Sequence, residues 1–164
     1  MRYAMNRSVV VLLCTALSLS ACGWRLQGTS KLSATMTLTY VDANDRYTEF
    51  NRALRDRLRA SGAKVTDRAS DATAVVKIIK DQSGQRVLSV SARNTPEEYE
   101  VFYAVEYSVM SGGTELIAPQ KLELTRDYSY DTTAVLAKQR EQAVLREALA
   151  QDLAGLVLRR LASL

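Results

Sequence analysis

The chain has 164 residues with 22 basic and 18 acidic side chains, no histidine, two cysteines and seven scattered glycines. Lacking histidine, it has neither the commonest general base and metal ligand nor any Ser-His or Cys-His nucleophile, which argues against an enzyme and against a metal or other cofactor. The glycines build no phosphate-cradling loop, and interleaved charges give no clustered basic face for nucleic acid.

At the N-terminus, Arg2 and Arg7 precede an almost wholly apolar run, Val9–Leu19, that leads into Leu19-Ser-Ala-Cys22. A basic start, a short apolar run and small residues before a cleavage point mark a secretory signal peptide. The run has about half the ~20 apolar residues a membrane-spanning helix needs. Leu-Ser-Ala-Cys has the form of a bacterial lipobox, so residues 1–21 are expected to be removed and Cys22 to become the first mature residue. Its thiolate takes up a diacylglyceryl group, and the freed amino group takes a fatty acid such as palmitate. Each buried CH₂ adds about 0.8 kcal/mol, so two or more chains anchor stably. Removing Arg2 and Arg7 lowers the net charge from +4 to +2. Cys14 leaves with the signal and Cys22 carries lipid, so no thiol remains for a disulfide. Gly23 stands where Asp signals inner-membrane retention in Gram-negative lipoproteins, which reads as an outer-membrane address on the periplasmic side.

Residues 22–33 read as a lipidated tether, and residues 34–164 as one domain. Thr35–Val41 alternates like a strand, and Asp42-Ala-Asn-Asp45 is a turn. Phe50, Ala53, Leu54 and Leu58 then take helical spacing from Thr48 on, with Ser61-Gly62 as the stop. Arg52, Arg55, Arg57 and Arg59 share that helix and read as a solvated face. Thr73–Lys80 is a Val/Ile-rich strand, Gln82-Ser-Gly-Gln85 has hairpin-turn chemistry, and Arg86–Arg93 is the next strand. After the Asn94-Thr-Pro-Glu97 turn, Tyr99, Val101, Tyr103, Val105, Tyr107 and Val109 alternate with Glu100, Phe102, Ala104, Glu106 and Ser108. Such alternation fits an antiparallel sheet buried on one face, with Tyr99, Tyr103 and Tyr107 as core. Ser111-Gly-Gly113 ends that strand, and Gln120–Tyr130 is the last one. Asp131 is a candidate N-cap for a closing helix over residues 133–161, striped by Leu145, Leu149, Leu153, Leu156 and Leu161. The expected fold is α+β: a two-layer sandwich of order β-α-β-β-β-α, two helices on one face of a four-stranded, mostly antiparallel sheet.

Two segments carry a resemblance. Cys22-Gly-Trp-Arg-Leu-Gln-Gly28 resembles the Cys-Gly-Phe-x-Leu-x-Gly start of the LPS-assembly lipoproteins. Arg126-Asp-Tyr-Ser-Tyr-Asp131, followed by Leu136-Ala-Lys138 and Glu141-Gln142, is similar to the junction of last strand and long helix in the same family. The resemblance implies the small subunit of the outer-membrane lipopolysaccharide translocon. Such a subunit is seated in a large β-barrel partner, plugs its lumen, assists its assembly and binds lipopolysaccharide. Lumen walls of such barrels are polar, which suits a mixed-charge surface.

Lipid phosphates call for Arg or Lys. Arg93 ends a strand beside a turn, and Lys121 opens the last strand on its polar side. Arg126 falls on the apolar side, where it must pair with a carboxylate, sit beyond the rim or mark a bulge. Tyr128 and Tyr130, near the strand's end, are candidate contact residues. The competing readings are a lipid-anchored periplasmic hydrolase using carboxylates such as Glu97, Glu98 and Glu100, and an adaptor of another envelope machine. Those glutamates more simply cover a strand edge.

Overall fold

The computed structural model describes residues 32–130 and 133–164, so the signal peptide, Cys22 and the Asp131 cap lie outside the described residues. In place of a strand from residue 35, the chain first makes a 3₁₀ turn, Ala34–Met36. Two threonine hydroxyls turn back to hold it: Thr37 Oγ1 donates to the Ala34 carbonyl at 2.6 Å and Thr39 Oγ1 to the Met36 carbonyl at 2.8 Å. Such local side-chain bonds compete with a ladder. The strand β1 therefore starts later, at Leu38–Asp42.

Helix α1, Glu49–Ala60, is capped by Thr48, whose hydroxyl accepts from the Asn51 amide at 3.2 Å. It closes with the Ala63 amide reaching back to the Leu58 carbonyl at 3.1 Å across Gly62, whose φ of 90° suits glycine. A three-residue strand β2, Lys64–Thr66, follows. Then come β3, Ala74–Val90, β4, Pro96–Ser111, and β5, Thr114–Ser129. Helix α2, Val135–Leu161, ends the fold; its N-cap is Ala134, with no side-chain cap bond, three residues past the expected Asp131.

The sheet has five strands in the order β2-β1-β3-β4-β5, not the expected four: β2 is additional, and the segments read as Thr73–Lys80 and Arg86–Arg93 are one strand, β3. It is mixed: β1 runs parallel to both β2 and β3, while β3-β4-β5 is antiparallel. Three residues are too few to show a period, which is why β2 escaped the sequence pattern. A second correction concerns Gln82–Gln85, which is no turn but the middle of β3, opposite Phe102 and its neighbours. Gly84 has extended backbone, and a Cβ there would sit 2.7 Å from the Phe102 ring, so the glycine serves a close approach. The true two-residue turn is Gly112-Gly113, both at positive φ. β5 also begins earlier than Gln120, and Pro119 lies in its irregular stretch between the Val109–Ile117 and Tyr107–Gln120 pairs. An edge strand tolerates proline at such a bulge.

Both helices pack on one face. There Val41, Val76, Ile78, Val101, Tyr103, Val105, Tyr107 and Val109 meet Phe50, Leu54, Leu58, Leu149, Leu153, Val157 and Leu161. Buried residues of α2 begin only at Leu149. The 12-residue α1 spans about 18 Å, against about 55 Å for the longest strand. The molecule thus has a two-layer proximal half, and a distal half in which β3-β4-β5 has only the start of α2 above it.

Candidate functional surfaces

The face of β3-β4-β5 away from the helices carries an ionic ladder. Arg86 on β3 donates to Glu100 on β4 at 2.8 Å and to Glu123 on β5 at 3.0 Å. Its guanidinium lies 4.8 Å from the Phe102 ring centre, over the space Gly84 leaves open. Lys121 pairs with Glu123 at 3.2 Å and Lys80 with Glu106 at 3.8 Å. Lys121 and Arg86 together pull the Glu123 carboxyl below its usual range. Beneath these long side chains Ala104 and Ser108 are buried although no helix covers them. This face is polar, and several of its charges are paired, Arg86 and Lys80 across strands and Lys121 along β5.

The distal end gathers most of the residues singled out from sequence. Arg126 is on the helix-facing side as alternation requires, and its Nη2 donates to Asp152 of α2 at 3.1 Å. Pairing is thus the resolution among the three open to it. Tyr128 is not an open contact residue: it is 7% exposed, stacked on Tyr99 at 5.8 Å, with its hydroxyl donating to Gln85 at 3.0 Å. Tyr130 is half-buried, edge-on to Tyr99 at 5.2 Å. Lys121 sits in mid-strand on the opposite face, since β5 starts at Thr114. Arg93 does not end a strand, because β3 stops at Val90; it lies in the β3–β4 turn, exposed, and no ion pair of its side chain is found among the described residues. Sequence reasoning named Lys138 within the strand–helix junction but not as a contact residue; its ammonium lies 5.9 Å from the Tyr128 ring and 2.8 Å from Glu141. The i, i+3 spacing of that pair is the physical signal the sequence offers.

The arginines of α1 are not all a solvated face. Arg55 is largely buried, bonded to Asn51 at 3.0 Å and reaching Asp67 at 3.5 Å. Arg46 also holds Asp67, and together they keep that carboxyl below its usual range.

Asp81 is the one described carboxylate whose pKa is raised, because burial outweighs the hydrogen bonds from Thr48 at 2.6 Å and Tyr103 at 2.8 Å. The Tyr103 hydroxyl in turn accepts from the Phe50 amide at 3.2 Å. These bonds rivet the start of α1 to the sheet, which is structural work. Glu97, Glu98 and Glu100 occupy the start of β4, where Glu98 accepts from Ser89 and Glu100 from Arg86. Among the described residues no group of three or more Asp or Glu could hold a metal ion, and no helix is long and apolar enough to cross a membrane.

The fold defines the class first. The crystal structure of rare lipoprotein B from Shewanella oneidensis superposes with a TM-score of 0.67 at 34% identity, covering 77% of this chain and 94% of that one. The solution structure of lipoprotein B from Nitrosomonas europaea gives 0.71 at 25% identity over 86% of this chain and 91% of that one. The architecture is that of a small bacterial lipoprotein. The lipopolysaccharide-assembly family model, LptE, matches residues 35–161, and the chain belongs to that family. Among its relatives are the LPS-assembly lipoproteins LptE of Pectobacterium atrosepticum, 25% identical over 87% of this chain and 77% of the relative, and of Yersinia enterocolitica, 27% identical over 95% and 76%.

Proposed function

We propose that the chain is an outer-membrane lipoprotein, anchored through Cys22 on the periplasmic side. In this reading it occupies the lumen of a large lipopolysaccharide-exporting β-barrel, where it fills and orders the channel, assists barrel assembly and binds lipopolysaccharide during insertion. The match of residues 35–161 to the lipopolysaccharide-assembly family carries this reading. The exposed sheet face supports it. A lumen wall is polar, and a polar surface on which Arg86, Lys80 and Lys121 already have carboxylate partners meets such a wall with those charges compensated. The action is non-covalent. Arg93, exposed in the β3–β4 turn and without an ion pair among the described residues, is a cation open to a lipid phosphate, and Lys121 stands on the face that meets the wall. Tyr130 and the aromatic rings beside it offer contact area with polar ends.

Extraction in mild detergent tests the partner: a stoichiometric β-barrel of large mass should accompany the lipidated chain, and its absence overturns the proposal. Photo-crosslinkers placed at Arg93, Lys121, Arg126 and Tyr128 in living cells map the contacts. Adducts to barrel or glycolipid are expected from Arg93 and Lys121, and none from the buried Tyr128. Mass spectrometry of the purified protein should find Cys22 acylated and residues 1–21 gone.

A further inference from the structure

We infer that β3 offers an open backbone edge, residues 82–88, that is completed by an extended segment of the barrel partner's own chain. This rests on the barrel-bound reading above. β1 is five residues long and pairs with β3 only from Ala74 to Lys77. From Gln82 to Val90 β3 is hydrogen-bonded to β4 on one side, and among the described residues no strand lies along the other. Unpaired amides and carbonyls in a row are a template for another strand.

The two outer edges of the distal sheet differ in a telling way. The β5 edge is guarded by Pro119 and by Arg126 turned inward onto Asp152, devices that keep strangers from pairing. Over residues 82–87 the β3 edge has neither a proline nor a charge turned inward. Register is regular from Lys80 to Val87, and that stretch contains Gln82, Ser83, Gly84 and Gln85 but no proline. Its charged neighbours are drawn across the sheet: Lys80 to Glu106, Arg86 to Glu100 and Glu123, and Asp81 to Thr48 and Tyr103. At its far end Val87, Leu88 and, just beyond, Val90 are each about half exposed, at 49%, 49% and 50%.

An edge so bare invites aggregation in a free protein, but it suits one that is enclosed. The occupant is a neutral strand of about six residues, with small polar groups beside Gln82–Gln85 and an aliphatic residue beside Val87. Main-chain bonds supply its affinity and the alternating side chains its specificity.

Hydrogen exchange on the lipidated full chain, alone and in its purified complex with the barrel, tests this. The amides of residues 82–88 that point away from β4 should slow by about tenfold or more in the complex, the ratio one added bond of ~1.4 kcal/mol gives. Unchanged exchange in an intact complex overturns the inference and leaves the barrel reading standing. Slow exchange already present in the isolated chain also overturns it, since a second copy or the chain's own N-terminal segment then fills the edge. If no complex forms, the barrel reading fails and this one with it. Gln82→Pro and Ser83→Pro provide a paired check, because consecutive amides point to opposite sides. One variant should lose a ladder bond and fold less stably. The other should melt as the parent does yet lose complex, and a complex untouched by that second variant sinks the idea.

Discussion

Burial pushes the Asp81 carboxyl up from its ordinary 3.8, with Glu49 and Asp45 adding to the effect, while Thr48 and Tyr103 favour the ionised form and lose. A carboxyl raised in the folded state stabilises the fold when protonated, and that contribution fades as pH climbs through the folded value. Asp81→Asn has no such titration. Urea unfolding between about pH 4 and 7 should therefore show the parent losing ground to the variant as pH rises. A constant gap would mean that the carboxyl does not titrate differently in the two states. The Gly84–Phe102 contact makes a second residue-scale prediction. Gly84→Ala places a methyl against the ring, at a cost of about 1–3 kcal/mol by overpacking. In a Phe102→Ala background the same change should be neutral or favourable, since alanine suits a strand better than glycine. Additive effects in that double-mutant cycle would contradict the contact. Here lies the reason that Gln82–Gln85 was misread. A glycine used for close approach and one used for a turn look alike in sequence, and only the partner ring tells them apart.

At the scale of elements, legibility followed the amount of one-sided burial. β4 shows strict alternation because Val101, Tyr103, Val105, Tyr107 and Val109 all face the helices, and α1 shows its period because Phe50, Leu54 and Leu58 do the same. β2 has three residues and no buried side chain, so no period existed to be read. The start of β5 was hidden by Pro119, which reads as a break although an edge bulge absorbs it. Helix α2 divides into halves that its sequence does not announce: leucines run its whole length, but Leu153 is fully buried while Leu136 is 75% exposed. Leu153→Ala should cost about 2–5 kcal/mol, whereas Leu136→Ala should fall within about 0.5 kcal/mol of the parent. The difference is read as a shift in urea midpoint at constant slope. Thr48→Ala removes the α1 cap and one of the two side-chain donors to Asp81, for a loss of about 1 kcal/mol.

The whole molecule joins a two-layer core to a three-stranded blade, and what the sequence told of function divides along the same line. The core accounts for most of the apolar pattern, while the family match runs through both parts. The blade bears most of the candidate contact residues, which alternation could assign to a face but not to a partner. Arg126 illustrates this: its side of β5 was legible, but Asp152 lies 26 positions away on α2 and left no local signal. The division has a consequence for stability. Amides of β3 and β4 beneath both helices sit in a buried cluster, and they should exchange only through global unfolding. Amides near Val87, Pro96 and Ser129 are held by ladder bonds, the Tyr99–Tyr128–Tyr130 rings and the Arg126–Asp152 pair. An exposed ion pair contributes about 0–1 kcal/mol, so these should open locally at free energies well below the global value. Native-state exchange across a denaturant series separates the two cases. Core amides should converge on the denaturant dependence of global unfolding, and blade amides should show nearly none. Blade amides that join the core isotherm would show instead that β3-β4-β5 unfolds as one unit with the helices. The blade would then be as rigid before it meets a partner as afterwards.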